Sequence, residues 1–349
     1  MSDASSKPRR SSRPILFVII ATVVPTLLGA VLVAGLLIHQ ERLVITWKPF
    51  SARLQTPPKY VEEPGAERTG HRYLFDDELG WRNIPNWEAQ TGGRHLKINS
   101  KGLRDREYPH EKPPGTKRIL VLGDSYVWGY GVGNNERFTD FLEIQLGRED
   151  INCEVLNSGV SGYGTDQEYL WFRSEGVKYQ PDLVILAFFV LNDPMNNVSA
   201  VQYGLSKPLF LDTNLTQIQP PVFDSETLVS NTHEKADQLA MSIALIKAIS
   251  DKCNEIGSRF VLMKFGFHGE KESQLALAFD RNLATAVAEQ MPTARLLDLD
   301  AECGKRELSF FKMVEGNIDG HWNAWGHKQV AEILFDYLLP RRKELLGEN

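Results

Sequence analysis

Residues 119–136 read ILVLGDSYVWGYGVGNNE, and the reading of this stretch decides the fold. Four apolar residues, Ile119 to Leu122, stop at Gly123 and are followed at once by Asp124 and Ser125. A short apolar run bounded by glycine reads as a strand, and Ser125 then stands just past its carboxyl end. A helix starting there would aim backbone N–H groups and a positive dipole end at whatever binds. Ser125 therefore has two readings at this stage: a helix cap or a nucleophile.

The same rhythm continues along the chain. Apolar runs at 118–123, 154–157, 182–189, 259–266 and 295–300 alternate with amphipathic segments near 135–148, 165–179, 233–257, 270–290 and 324–339. Strands alternating with helices predict a parallel sheet covered on both faces. Five strands predict an α/β, flavodoxin-like, three-layer αβα domain over 116–349, with ligands bound outside the carboxyl ends of the strands. One stretch breaks the rhythm: 194–232 carries Pro208, Pro220, Pro221, Tyr203, Phe210 and Phe223 without a helical period. Connections this long are uncommon unless functional, and it is expected to be a lid-like insertion in which PLFLDTNLTQI forms a hairpin. Residues 59–115 mix aromatics, glycine and charge and read as an embellishment packed on the main domain.

The 349 residues include 42% apolar and 24% charged positions, as in an ordinary folded protein. A net charge of −6 argues against a broad nucleic-acid surface. Cys153, Cys253 and Cys303 are widely spaced, with no CxxC pair or Cys/His cluster of the zinc kind. The N-terminus is more informative. Residues 15–38, ILFVIIATVVPTLLGAVLVAGLLI, hold no charged residue. As a helix they would span about 36 Å, enough to cross a hydrocarbon core, with a kink at Pro25. A signal peptide has a shorter apolar core. The expectation is a basic tail at 1–14 containing Lys7, Arg9, Arg10 and Arg13, a single retained transmembrane helix at 15–38, and a polar tether at 39–58. The rest would then lie outside the cytoplasm, anchored to the cell membrane.

Three further stretches change the odds on Ser125. LNSGVSGYGTDQ (156–167) follows the second strand, and Gly159, Gly162 and Gly164 let backbone approach a ligand closely. FFVLNDPMNN (188–197) ends the third strand, where Asn192 offers two amide donors beside Asp193. NIDGHWNAWGHK (317–328) precedes the last helix, and Asp319 stands two residues before His321, where extended chain would face both the same way. His327 reads as a capping or helix-surface residue. Together the stretches offer a nucleophile, oxyanion donors, a base and an acid to orient it, which is what acyl transfer to serine needs.

The same pieces resemble the conserved blocks of the SGNH hydrolase superfamily, also called the GDSL esterase/lipase family, as an ordered series over about 115–340. GDSY is similar to the first block, SGYGT to the second, LND to the third and DGHWN to the fifth. The resemblance implies Ser125 as nucleophile, His321 as base and Asp319 as acid, with Ser125, Gly162 and Asn192 forming the oxyanion hole. Asp124, Tyr126 and Trp322 flank these groups and are expected to line the substrate cleft. Two departures stand out: the family often places its acid where Ile318 stands, and Leu191 replaces a glycine before Asn192. The D-x-H-W spacing resembles polysaccharide O-acetyltransferases and related extracytoplasmic branches.

The rival readings fare worse. Gly129, Gly131 and Gly133 begin too far beyond the strand for a dinucleotide fingerprint. No metalloprotease spacing is present, and no cofactor or metal is implied. A non-catalytic glycan-binding module would have no need of Ser125, Asn192 and His321. The expected activity is hydrolysis of a carbohydrate O-acyl ester, with Trp128, Trp171, Trp322 and Trp325 as candidates to stack on sugar. The alternatives are O-acyl transfer, which would require a multi-span membrane partner to deliver the donor, and a non-catalytic glycan-binding module.

Overall fold

In the computed structural model the described residues are 26, 29–34, 43–47, 50–54, 59–62, 72–91, 93–223, 238–266, 274–317 and 320–347. Two compact units divide them, residues 1–59 and 60–349. In the first, Leu43–Trp47 pairs antiparallel with Phe50–Leu54, in the stretch expected to be a tether. Its LVITW run is rich in the β-branched and aromatic residues that favour strands. Most of 15–38 lies outside the described residues. Among those described, no helix is long and apolar enough to cross a membrane.

In the second unit the five apolar runs form one parallel sheet: β1 (Lys117–Leu122), β2 (Cys153–Asn157), β3 (Leu183–Phe189), β4 (Arg259–Phe265) and β5 (Ala294–Asp298). Their spatial order is 2-1-3-4-5, the flavodoxin-like order expected. Leu122 pairs with Leu186, and Phe189 with Phe265. β1 and β3 adjoin although β2 lies between them in sequence, so the chain reverses direction across the sheet there. A crevice opens at such a point beyond the carboxyl ends of the strands.

Because successive strand residues face opposite sides, each run feeds two cores. Ile119 and Val121 join Ile185, Val261 and Met263 under α2 (Phe138–Arg148) and α9 (Ala324–Leu338). Leu120 and Leu122 join Leu186 and Leu262 under α3 (Thr165–Ser174), α5 (Gln238–Glu255) and α6 (Gln274–Gln290). Burial on both faces explains why the runs are continuous rather than alternating. Cys153, Cys253 and Cys303 are buried and unpaired, one or more in each of these cores. The remaining α-helices described in this unit are short: α1 (Ser125–Trp128), α4 (Asp193–Asn196), α7 (Leu299–Lys305), α8 (Phe310–Val314) and α10 (Arg342–Leu345).

A third core lies beside the crevice. Tyr73 and Trp81, from the antiparallel pair Arg72–Asp76 and Gly80–Asn83, pack with Val160, Tyr163 and Phe210. The 59–115 embellishment is thus fastened to the loop after β2: the Trp81 indole donates to the Ser161 carbonyl (3.1 Å), and the Tyr163 hydroxyl to the Trp81 carbonyl (2.5 Å). The insertion contributes two hairpins, Val201–Gln202 with Leu205–Ser206 and Leu209–Phe210 with Ile218–Gln219. The second spans PLFLDTNLTQI and the glutamine after it, where a hairpin was expected.

Candidate active site

At Gly123 a side chain would not fit: an added Cβ would lie 2.2 Å from Val127 Cγ2 and 3.3 Å from Ala187 Cβ. The chain therefore turns tightly out of β1 into α1. Asp124, not Ser125, caps that turn, accepting from the Tyr126 N–H at 2.9 Å. Ser125 is the first residue of the helix, and its Oγ lies 2.7 Å from His321 Nε2. Residues 196 positions apart are thereby brought into hydrogen-bond contact. A helix does start at Ser125, as expected, but it is a single turn closed by Gly129 at φ +87°, so its dipole is small.

The imidazole is held by two rings. Its centroid lies 4.7 Å from that of Tyr126 and 4.9 Å from that of Tyr130. The Tyr126 hydroxyl donates to the Gly320 carbonyl at 3.1 Å, so the nucleophile turn grips the loop that carries the base. Asp319 lies outside the described residues, as does Ile318. The i, i+2 arrangement expected of Asp319 and His321 therefore falls outside the described residues; Gly320, between them, has φ +76°.

The loop after β2 is sewn to the nucleophile turn. Ser158 N–H donates to the Val121 carbonyl (3.1 Å) and Val160 N–H to the Gly123 carbonyl (3.2 Å). The Asn157 amide donates to the Val127 carbonyl at 2.5 Å. At Gly159 an added Cβ would sit 2.2 Å from the Trp128 nitrogen, so only glycine allows this backbone approach. Gly162 sits at φ +78° in a turn closed by Tyr163 N–H to the Val160 carbonyl. Across the crevice, Asn192 follows β3, and its Nδ2 donates to Asp124 Oδ2 at 2.9 Å.

Behind this edge lies a group of buried carboxyls. Asp166 pairs with Lys207, and both side chains are 0% exposed. Burial raises the Asp124 carboxyl above its ordinary range. Burial together with the charges of neighbouring acids raises Glu168 and Asp193 well above theirs. Neither Glu168 oxygen has a hydrogen-bond partner among the described residues.

Several expected cleft residues sit elsewhere. Asp124 is fully buried and holds Asn192 and its own turn, so it does not line the cleft. Trp322 is 0% exposed, packed among Tyr126, Phe138 and Phe265, and backs the histidine loop rather than meeting substrate. Tyr126 is nearly buried and contacts the base. Of the tryptophans considered for stacking, Trp128 is buried beneath the Arg104 guanidinium (4.2 Å), while Trp171 and Trp325 are partly buried and pack on the two cores. An apolar ring gains more from close packing than from exposure, and strand ends crowded by aromatics provide that packing. His327 is buried as well, and its Nδ1 accepts from the first N–H of α2 at 3.2 Å. Capping was expected of it; a surface position was not found.

Two supports escaped the sequence. The Arg104 guanidinium donates to the carbonyls of Trp128 (2.7 Å), Gly129 (2.6 Å) and Val132 (2.5 Å), satisfying the end of α1. Nothing in GLRDREY separates this arginine from a surface one. The Asp166–Lys207 pair joins segments 41 positions apart, and only an interrupted apolar pattern around Lys207 hinted at burial.

Residues 121–329 match the model of the GDSL-like lipase/acylhydrolase family. No curated protein matches the chain. Among solved structures, TesA is 17% identical with a TM-score of 0.44, the match covering 64% of this chain and 99% of that one. A lipase/acylhydrolase from Enterococcus faecalis is 14% identical (TM-score 0.41; 64% and 96% covered). The acetylxylan esterase Axe2 from Geobacillus stearothermophilus is 14% identical (TM-score 0.44; 63% and 93% covered).

Proposed function

The chain belongs to the GDSL-like lipase/acylhydrolase family, and we propose that it is a serine esterase that removes a small acyl group, O-acetyl foremost, from a carbohydrate. The observation that carries this reading is the 2.7 Å contact between Ser125 Oγ and His321 Nε2, at the carboxyl edge of the sheet. A serine hydroxyl is a weak nucleophile until a base takes its proton, and that separation is the one proton transfer needs.

In the proposed reaction Ser125 Oγ attacks the ester carbonyl carbon while its proton passes to His321 Nε2. The carbonyl electron pair moves onto oxygen, which takes the Ser125 N–H, the Gly162 N–H and an N–H of Asn192. The Asn192 amide has two such hydrogens; one serves Asp124, and the second is assigned to the oxyanion. Collapse expels the alcohol, which His321 protonates. Water then attacks the acyl-serine with His321 again as base, and acid and free serine are released. Asp319 is assigned to hold the imidazole in the tautomer that leaves Nε2 able to accept.

A small acyl group is supported by the recess of the nucleophile. Ser125 is 5% exposed and walled by Tyr126, Tyr130 and His321. The apolar 15–38 segment supports a single-pass anchor with the catalytic unit outside the cytoplasm, where acylated glycans are found. The test is release of free acid from O-acetylated oligosaccharide by the full chain and by Ser125→Ala. Acid released by the wild type and abolished in the variant supports the reading. Acetyl groups moved between sugars without free acetate would replace hydrolysis with transfer.

A further inference from the structure

The hairpin Val201–Gln202/Leu205–Ser206 turns through two residues, Tyr203 and Gly204, at φ +53° and +76°. Two-residue turns with both φ positive favour Asn-Gly, because a bulky side chain is strained there. A tyrosine in the first position contradicts local turn chemistry, and such outliers concentrate where function holds them. The Tyr203 ring lies against the oxyanion loop: a Cβ added to Gly162 would be 2.8 Å from Tyr203 Cε2 and 2.9 Å from Cδ2. Yet Tyr203 is 49% exposed, unlike the tryptophans around the site.

The base of the hairpin is fixed while its tip reaches over the crevice. Lys207 Nζ pairs with Asp166, just beyond the oxyanion loop, and donates to the Asn196 carbonyl at 2.9 Å. Ser206 meets the 59–115 embellishment so closely that a Cβ on Gly80 would lie 2.3 Å from its carbonyl oxygen. Such anchoring holds an aromatic face in place without loop mobility.

Resting on the esterase reading above, we propose that Tyr203 is the substrate platform of this site: its half-exposed ring stacks on the sugar ring of the alcohol moiety and sets which esters reach Ser125. A pyranose presents an apolar C–H face that an aromatic ring covers, whereas the buried tryptophans cannot meet it.

The experiment compares the full-length wild type with Tyr203→Asn and Tyr203→Trp on O-acetylated oligosaccharide and on triacetin, an acetate ester whose alcohol has no ring. Asparagine suits the turn and removes the aromatic face, so loss of folding does not confuse the result. The expected outcome is a roughly tenfold rise in KM of Tyr203→Asn for the oligosaccharide, with kcat within about twofold, triacetin turnover unchanged, and KM restored by tryptophan. An unchanged KM overturns the assignment, as does an equal loss of kcat on both substrates, which would make Tyr203 only a prop for Gly162. A wild type that cleaves triacetin and reacts with a fluorophosphonate at Ser125, but cleaves no acetylated sugar, overturns the platform while the serine esterase stands. One that does neither overturns both.

Discussion

Asn192 Nδ2 donates to Asp124 Oδ2 at 2.9 Å, tying the residue after β3 to the residue that precedes the nucleophile. The bond fixes the amide of a proposed oxyanion donor from behind. Asn192→Ala is expected to lower kcat by about 10²–10³, in the range for one oxyanion donor. Asp124→Ala should lower it by about tenfold or more through loss of the amide's orientation, with KM little changed. In the double variant the two losses should add only in part, because Asp124 acts partly through Asn192 and partly by capping α1. Steady-state kinetics on the four proteins decides this; full additivity would separate the roles.

The Tyr126 hydroxyl reaches the carbonyl of Gly320, next to the base. Tyr126→Phe removes one partly buried hydrogen bond, and about 1 kcal/mol of stability should go with it. Because the lost bond positions His321, kcat should fall by several-fold while KM holds. Denaturant titration and kinetics on the same variant check both halves.

Gly162 is constrained twice, by φ +78° and by the Tyr203 ring. Gly162→Ala should cost about 1–2 kcal/mol from the left-handed backbone alone, plus the clash with Tyr203. Adding Tyr203→Asn should recover the clash but not the backbone part. It should also relieve the turn strain of Tyr203 by about 1 kcal/mol. Thermal melts of the single and double variants measure each portion.

Glu168 is buried with its carboxyl raised well above the ordinary range, chiefly by burial. Between the unfolded value of about 4.3 and the raised folded value, the native state keeps a proton that the unfolded chain releases. Stability therefore falls as pH rises through that window, by up to about 1.4 kcal/mol per pH unit. Glu168→Gln should match the wild type near pH 4 and be increasingly more stable toward pH 8. Urea unfolding at several pH values tests the sign; a difference that does not grow with pH contradicts it. Asp193 titrates in the same direction, so the variant keeps part of the slope.

What was legible in the sequence follows from what is local. The runs from Ile119 to Leu122 and Leu183 to Phe189 announced a doubly covered sheet because burial on both faces leaves no polar position there. Gly-Asp-Ser marked the end of β1 because a glycine was needed against Val127 and Ala187. Which aromatic faces water was not legible. Trp322 and Tyr203 look alike as letters, and only the packing of α2, α9 and the hairpin decides that one is buried and the other half-exposed. Nor could periodicity reveal Arg104 or Lys207, whose partners are carbonyls and a carboxylate brought close only by the fold. The hairpin at Leu43–Trp47 was missed because a segment of mixed polarity was read as a tether.

The reaction of the full chain with a small fluorophosphonate, followed by mass spectrometry of the labelled peptide, addresses the central claim most directly. The account predicts one adduct, on Ser125, absent in Ser125→Ala and formed at least a hundredfold more slowly in His321→Ala. Labelling at another residue, or a rate indifferent to His321, would contradict it.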